Sequence, residues 1–100
     1  MLETRHLFVT LAASGEVVPA QAGKRIQVLA YTVMALTANN VKFQTGSGAD
    51  ISLTMYLAAT AGLVSAFTEY GHFETLRSEA LNVNLTAATA VSVEVIYVLV

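Results

Sequence analysis

The sequence predicts an all-β fold, an antiparallel β-sandwich with eight strands in a jelly-roll arrangement. Apolar and polar residues alternate with a period of two in several short runs, which is typical of half-buried strands. Glycine and small polar residues separate these runs at the intervals of a sandwich or barrel. Closure into a jelly roll leaves few free sheet edges. An immunoglobulin-like sandwich is the alternative, and the absence of Cys and Trp disfavours it.

The first two predicted strands are short or loosely patterned. Residues 5–11 alternate loosely, and residues 16–19 form an edge strand in which Pro19 is tolerated because an edge does not need every N–H. The complete set of predicted strands is residues 5–11, 16–19, 24–36, 41–44, 51–57, 63–67, 81–85 and 90–100.

The third strand, residues 24–36, is predicted to be long and central. A helical pattern competes over residues 28–38, but the β-branched and aromatic side chains there favour a pleated surface. Strict alternation then assigns its side chains to two faces. We predict Ile26, Val28 and Ala30 on one face and Leu29, Tyr31 and Val33 on the other.

The middle of the chain is predicted to be a series of short strands and loops. The two asparagines at residues 39–40 form a turn before the strand at 41–44. The glycine-bearing segment 45–50 forms a hairpin loop that leads to the strand at 51–57. A brief strand follows at 63–67.

The last two predicted strands have the clearest patterns. Residues 81–85 place three apolar side chains on one face and two asparagines on the other. Residues 90–100 alternate at first and are then apolar on both faces. Since a strand that buries both faces needs cover on both, we predict a neighbouring subunit on one side. The side chains predicted at this subunit contact are Tyr31, Val33, Ile96, Val98 and Val100.

Composition supports self-association and disfavours several partners. Apolar residues make up 55% of the chain and charged residues 12%, whereas ordinary domains have about 45–50% and about 25%. A chain of this length buries a smaller fraction of its surface than a large one, so the apolar excess is hard to hide in a monomer. The formal net charge of -2 offers no footprint for nucleic acid.

No membrane span or leader is predicted. Residues 51–68 contain no charge, but alternating serine and threonine residues and a small-residue turn interrupt the run, which indicates strands and a loop. The charged start of the chain does not have the pattern of a signal peptide. The whole chain, 1–100, is predicted to be one domain, with residues 1–6 as a flexible arm.

No residue set predicts catalysis, a cofactor or a small-molecule substrate. His72 and Glu74, with Glu69 or Glu79, are the only candidates for metal ligands, and a solvated loop is the better interpretation because a metal needs three or four converging ligands. We expect Glu79 to pair with a local backbone N–H or with Lys24, Arg25 or Arg77 rather than to act as a general acid. The protein is therefore not expected to be an enzyme.

Several segments resemble a family of small β-sandwich virion proteins of tailed bacteriophages. The segments are AGKRIQVLAY at 22–31, VKFQ at 41–44, YLAA at 56–59, GHFET at 71–75 and EALNVNLT at 79–86. The resemblance covers residues 20–100. The chain departs from the family pattern at His72, where an aromatic such as Trp is common, and at Arg77, which replaces a small residue.

The resemblance implies a jelly-roll homotrimer on the capsid exterior that binds and stabilises the head lattice of major capsid protein. The residues predicted to touch that lattice are Met1, Leu2, Glu3, Thr4, Arg5 and His6. The alternatives are a location in the phage fibre or tail, or a module that binds cell-surface glycans. The aromatic residues available for a glycan are Tyr56, Phe67, Tyr70 and Phe73.

Overall fold

The alternating runs fold into nine β-strands. The computed structural model describes residues 3–100, and no helix is present among them, so none of them forms a helix that could cross a membrane. The all-β prediction is therefore confirmed, and the helical alternative over residues 28–38 is wrong. The strands are β1 (Arg5–Leu11), β2 (Gly15–Val18), β3 (Ile26–Ala35), β4 (Asn39–Thr45), β5 (Met55–Leu57), β6 (Gly62–Ser65), β7 (Phe73–Glu74), β8 (Leu81–Leu85) and β9 (Val91–Leu99).

The strands form two antiparallel sheets around a shared apolar core, a sandwich-like fold. Sheet A has the order β1-β9-β3-β6, and β7 also pairs with β3. Sheet B has the order β2-β8-β4-β5. Most neighbours in the sheets are far apart in sequence, because the strands at the start of the chain pair with those at its end.

Inward-facing side chains of both sheets make one core. Phe43 of β4 is the largest of the fully buried side chains. Strand β8 places its three apolar residues in this core and leaves its two asparagines half-buried on the other face, as its alternation predicted. Each fully buried side chain of this size stabilises the fold by roughly 1.5–3 kcal/mol relative to an exposed one.

A β-bulge at Leu29 changes which side chains of β3 face the core. The register of β3 against β9 shifts between Val28 and Ala30, so one extra residue lies in β3. As a result Ile26 and Val33 are both fully buried in the same core. The prediction that they lie on opposite faces is wrong, because alternation with a period of two holds only along an unbroken ladder.

The strand ends differ from the predictions where side chains bond to the backbone. The predicted turn at residues 39–40 is wrong: Asn39 begins β4, and its buried amide donates hydrogen bonds to the Ala87 carbonyl at 2.9 Å and to the Thr89 hydroxyl at 3.1 Å. Phe43 N donates a 2.8 Å hydrogen bond to the Ser52 hydroxyl rather than to a backbone carbonyl. The backbone pairing expected of a strand from residue 51 is therefore interrupted, and the fifth strand starts only at Met55. The one strand that was not predicted is β7, since its two residues are too few to show a period.

Candidate functional site

The outward-facing surface of sheet B is polar. Its residues on β4 and β8 are half-buried Asn40, Lys42, Gln44, Asn82 and Asn84. Lys42 Nζ lies 3.1 Å from the carboxylate of Asp50, which also accepts a 2.9 Å hydrogen bond from Gln44 Nε2. An antiparallel sheet with one face on the core usually presents such residues to water. This surface has the composition of a solvated face.

The outward-facing surface of sheet A, called the outer face below, carries exposed apolar side chains. Phe8 on β1, Met34 on β3 and Val64 on β6 are 75%, 52% and 72% exposed. The register places Phe8 beside Glu94, Glu94 beside Thr32, and Thr32 beside Val64. Two apolar side chains therefore end a row that crosses β1, β9, β3 and β6.

Four polar side chains of the outer face are paired across β1 and β9. His6 Nε2 donates a 3.0 Å hydrogen bond to the Glu94 carboxylate. The hydroxyls of Thr10 and Ser92 lie 3.1 Å apart. Both pairs join β1 to β9, so the face presents one basic and one acidic side chain that satisfy each other.

Two shallow grooves give the outer face its shape. One, of about 270 Å³, lies between Phe8 and Met34 above β9. The other, of about 240 Å³, is bounded by Ile96 on one side and by Val64 and Phe67 on the other. Protruding apolar side chains thus alternate with depressions that another side chain can fill.

A larger cleft, of about 670 Å³, opens between the two sheets. Residues 50–57, which include β5, form one wall, and Leu63 of β6 belongs to the opposite wall. Its aromatic lining consists of Tyr31, His72, Phe73 and the exposed Tyr56.

Tyr31 is the centre of the aromatic cluster at this cleft. Its ring makes edge contacts with Phe43 and His72, at centroid distances of 5.3 and 5.4 Å, and a tilted contact with Phe73 at 5.5 Å. His72 Nε2 donates a 2.8 Å hydrogen bond to the Ala66 carbonyl, which holds the imidazole ring against the loop. The cleft therefore has a fixed aromatic wall anchored in the core.

The structure separates the five side chains predicted at a subunit contact. Val33 is 0% exposed within the single chain and the half-buried Tyr31 lines the cleft, because the bulge in β3 turns these side chains inward, and their subunit contact stays a prediction. Val98 is only 6% exposed within the single chain, and its subunit contact also stays a prediction. Ile96 and Val100 are half-buried, and their subunit contact stays a prediction.

Cover for the second side of the final strand comes from within the chain. Leu29 and Val98 are buried, although neither belongs to the main core cluster. The loop at residues 66–72 runs beside this part of β3, where Thr68 N donates a 3.0 Å hydrogen bond to the Leu29 carbonyl and His72 N donates a 2.8 Å bond to the Val28 carbonyl. The apolar and polar pattern of residues 90–100 does not indicate that a loop so distant in sequence lies nearby.

The residues predicted as a lattice-binding arm fall into three groups. Met1 and Leu2 lie outside the described residues. Glu3 and Thr4 are exposed and precede β1. Arg5 and His6 belong to β1 and pair with β9, so for these two residues the prediction of a flexible arm is wrong. Their contact with a lattice stays a prediction.

The residues weighed as metal ligands do not converge. Glu74 lies 3.5 Å from Arg25 in an ion pair, and His72 is bonded to the loop carbonyl described above. Among residues 3–100, no group of three or more His, Cys, Asp or Glu side chains is placed to hold a metal ion.

Glu79 is held by hydrogen bonds at one end of sheet B. Its carboxylate accepts bonds from Ser47 N at 2.9 Å and from the Thr45 hydroxyl at 2.8 Å, and these two donors lower the pKa of Glu79. The prediction that Glu79 pairs with a backbone N–H is confirmed, but the donor, Ser47 N, is 32 residues away in sequence and not local as predicted. The pKa of Asp50 is lowered in the same way, first by Gln44 and then by Lys42.

Sequence reasoning missed the main apolar residues of the outer face. The alternation of His6, Phe8 and Thr10 along β1 was the one available signal, because it places Phe8 on the face that the polar residues mark as outward. Val64 gave no signal, since it lies in a short, uniformly uncharged strand whose two faces cannot be distinguished by pattern.

The fold and its surfaces define the class of this protein: an all-β, two-sheet antiparallel protein with one polar and one partly apolar outward surface. No protein-family model matches the chain, and no curated protein matches it either.

Proposed function

We propose that this protein is a structural component of a phage virion, a homotrimer that decorates the capsid exterior and stabilises the lattice of major capsid protein. The proposal starts from the resemblance of residues 20–100 to small virion proteins, which implies a jelly-roll trimer. The observation that carries it is the order in which the strands pair. A structural role also agrees with the scarcity of charged side chains, 12% of the chain.

The pairing order is nested, as a jelly roll requires. If the two-residue β7 is set aside, the first strand pairs with the last, the second with the next to last, β3 with β6, and β4 with β5. A folded antiparallel ribbon wrapped around a core gives this nesting, and it distributes eight strands over two sheets of four. The nesting supports a jelly roll as the finer description of the sandwich.

Decoration by a trimer would act through several weak contacts. Three copies held in one rigid body bind neighbouring capsomers with a high effective concentration, so the lattice is bridged without any single strong site. Glu3 and Thr4 are exposed before β1 and are available for such contacts. No catalytic group is required for this role.

Electron microscopy of the virions that carry this chain tests the location. Antibodies against the purified protein should label the surface of the head at regular positions. Label at the tail or fibres would support the alternative virion location instead. Virions without label at any position would contradict the proposal.

Binding to a lattice can be measured separately from location. Heads stripped of the protein should lose thermal or osmotic resistance and regain it when the purified protein is added. A variant lacking residues 1–4 should bind the heads more weakly than the full chain, because these residues belong to the predicted lattice contact. The deletion stops before β1, which starts at Arg5. Full resistance of stripped heads would contradict a stabilising role.

A glycan-binding module is the second candidate, and the aromatic cleft favours it. Of the four aromatic residues considered for this role, Tyr56 and Phe73 line the cleft, whereas Phe67 borders the outer face and Tyr70 lies outside the cleft lining. A glycan array should then show binding that Tyr56→Ala abolishes and Tyr70→Ala preserves. No reproducible binding by the unmodified chain would exclude this candidate.

A further inference from the structure

We propose that the outer face of sheet A is the surface on which a second copy of this chain packs. This inference rests on the proposed function, because that function requires a homo-oligomer, and it goes further by assigning the contact to residues. The sequence assigned the contact to the end of β9 and the middle of β3, where the structure buries Val33 and Val98 within the single chain.

The distribution of exposed apolar side chains supports this assignment. Phe8, Met34, Val64 and Phe67 all border the two grooves of the outer face, and all are largely exposed. On the opposite sheet, β4 and β8 present amides and a lysine, and the exposed Tyr56 lies beside Asn40 on the edge strand β5. Single exposed apolar residues are common on protein surfaces, but four that border two neighbouring grooves on one face indicate an interaction surface.

The charges of the outer face suit a second copy rather than a charged partner. His6 and Glu94 are the ionisable side chains among the outward-facing residues of β1, β9 and β3, and they are bonded to each other at 3.0 Å. A second copy can therefore pack on this face without meeting an unpaired charge. A polyanion would find a single imidazole, which is too little to attract it.

The size of the face indicates the strength of the contact. Strands about 4.8 Å apart, with seven residues rising about 3.4 Å each, make a flat area of roughly 400 Å² for the four strands. Side-chain relief adds to that value, but a standard interface buries about 800 Å² on each partner. We therefore expect micromolar rather than nanomolar association through this face alone, and a closed ring would gain from repeating the contact.

The test compares charged variants on the two outward surfaces. Phe8→Asp and Val64→Asp place a carboxylate on the outer face, whereas Asn84→Asp adds the same charge to the surface of sheet B. Sedimentation at tens of micromolar should give an oligomer of the 10.6 kDa chain for the unmodified protein and for Asn84→Asp. The two outer-face variants should be monomers, with dissociation constants raised at least tenfold.

A labelling experiment covers the case in which a charged variant misfolds. The chain contains no cysteine, so one introduced thiol reports on one position. Val64→Cys should react with a maleimide at least tenfold more slowly at concentrations where the oligomer forms than after dilution. Ser47→Cys, in an exposed turn at the end of sheet B, should react at the same rate in both conditions.

The outcomes separate this inference from the proposed function. An oligomer that persists in both outer-face variants, with Val64→Cys freely labelled, overturns the assigned surface and leaves the proposed function standing. A monomer for the unmodified chain at these concentrations overturns both. A dimer in which Val64→Cys is protected supports the surface and contradicts the trimer, since a face packed on itself closes a two-fold axis.

Discussion

The Thr45 hydroxyl donates a 2.8 Å hydrogen bond to the Glu79 carboxylate and so joins the end of β4 to the loop before β8, 34 residues away in sequence. The same hydroxyl oxygen accepts a 3.0 Å bond from Leu76 N, and Thr45 is fully buried. Ser47 N completes the contact by donating to the carboxylate at 2.9 Å. The turn after β4 and the loop before β8 are thus fixed to each other through one ionised side chain.

Replacing this carboxylate should change the pH dependence of stability. The pKa of Glu79 is lowered in the folded state, so its contribution is present above the ordinary pKa of about 4.3 and is lost as the pH falls through the lower folded value. Glu79→Gln should lower Tm by a few degrees at pH 7 and flatten the fall of Tm below about pH 4. Thermal melts between pH 7 and pH 2 measure both effects.

The control for this prediction is Glu69→Gln, which removes an exposed carboxylate from the 66–72 loop. It should leave the pH profile close to that of the unmodified chain. Asp50, whose pKa is also lowered, still contributes to the slope in both variants. Equal slopes in Glu79→Gln and the unmodified chain would show that the Glu79 contacts add nothing to stability.

The aromatic core should be the most sensitive part of the fold. Phe43 is fully buried, and its ring centroid lies 5.3 Å from that of Tyr31 and 5.0 Å from that of Phe73. Phe43→Ala should reduce the free energy of unfolding by about 3–5 kcal/mol, since it leaves a cavity. Tyr56→Ala, an exposed aromatic on β5, should change it by less than about 0.5 kcal/mol. Urea titration of both variants gives the comparison, and similar losses would contradict it.

The hydroxyl of Thr75 should be more important than its methyl group. Thr75 is fully buried, and its Oγ1 accepts a 3.0 Å hydrogen bond from Ile26 N at the start of β3. Thr75→Val leaves that N–H without a partner and should cost about 1–3 kcal/mol of unfolding free energy. Thr75→Ser keeps the hydroxyl and should cost about 1 kcal/mol, the value of one buried methyl group. A larger loss for Thr75→Ser than for Thr75→Val would refute this assignment.

The glycine at the start of β6 should not tolerate a side chain. A Cβ atom on Gly62 would lie 2.8 Å from the Val33 carbonyl oxygen and 2.9 Å from Met34 Cγ, so β6 would have to move away from β3. Gly62→Ala should cost about 1–3 kcal/mol of unfolding free energy. Gly15→Ala, whose nearest neighbouring atoms lie 3.9 Å away, should be close to neutral. Denaturant titration and amide exchange in β6 check both variants, and an unchanged β6 in Gly62→Ala would be the contrary result.

Local pattern predicted the strands well where alternation was unbroken. β1 and β8 have the bounds that the sequence indicates, because a half-buried strand shows its period within five to seven residues. Asn39 was assigned to a turn on its residue type, yet three hydrogen bonds to Ala87 and Thr89 hold it in β4. Those partners are 48 and 50 residues away, a distance that a local pattern does not report.

The candidate surfaces were harder to predict from the sequence than the strands. Tyr31 and Val33 were placed on an outward face, and the extra residue at Leu29 turned both inward. Phe8 and Val64 come together only because β1 and β6 lie in the same sheet, separated by β9 and β3. Their meeting on one surface depends on the order of the strands, which alternation does not encode.

The sequence by itself determined that this chain forms β-strands, where most of them lie, and that its apolar residues exceed what a small solvated domain usually carries. The tertiary structure alone decided the bulge in β3, the internal cover of Val98 and the division into a polar and an apolar outward surface. The physical reason is the distance along the sequence over which each property is determined. A side chain's period along a strand is a local property, whereas its burial depends on neighbours that the long-range pairing of strands and loops supplies.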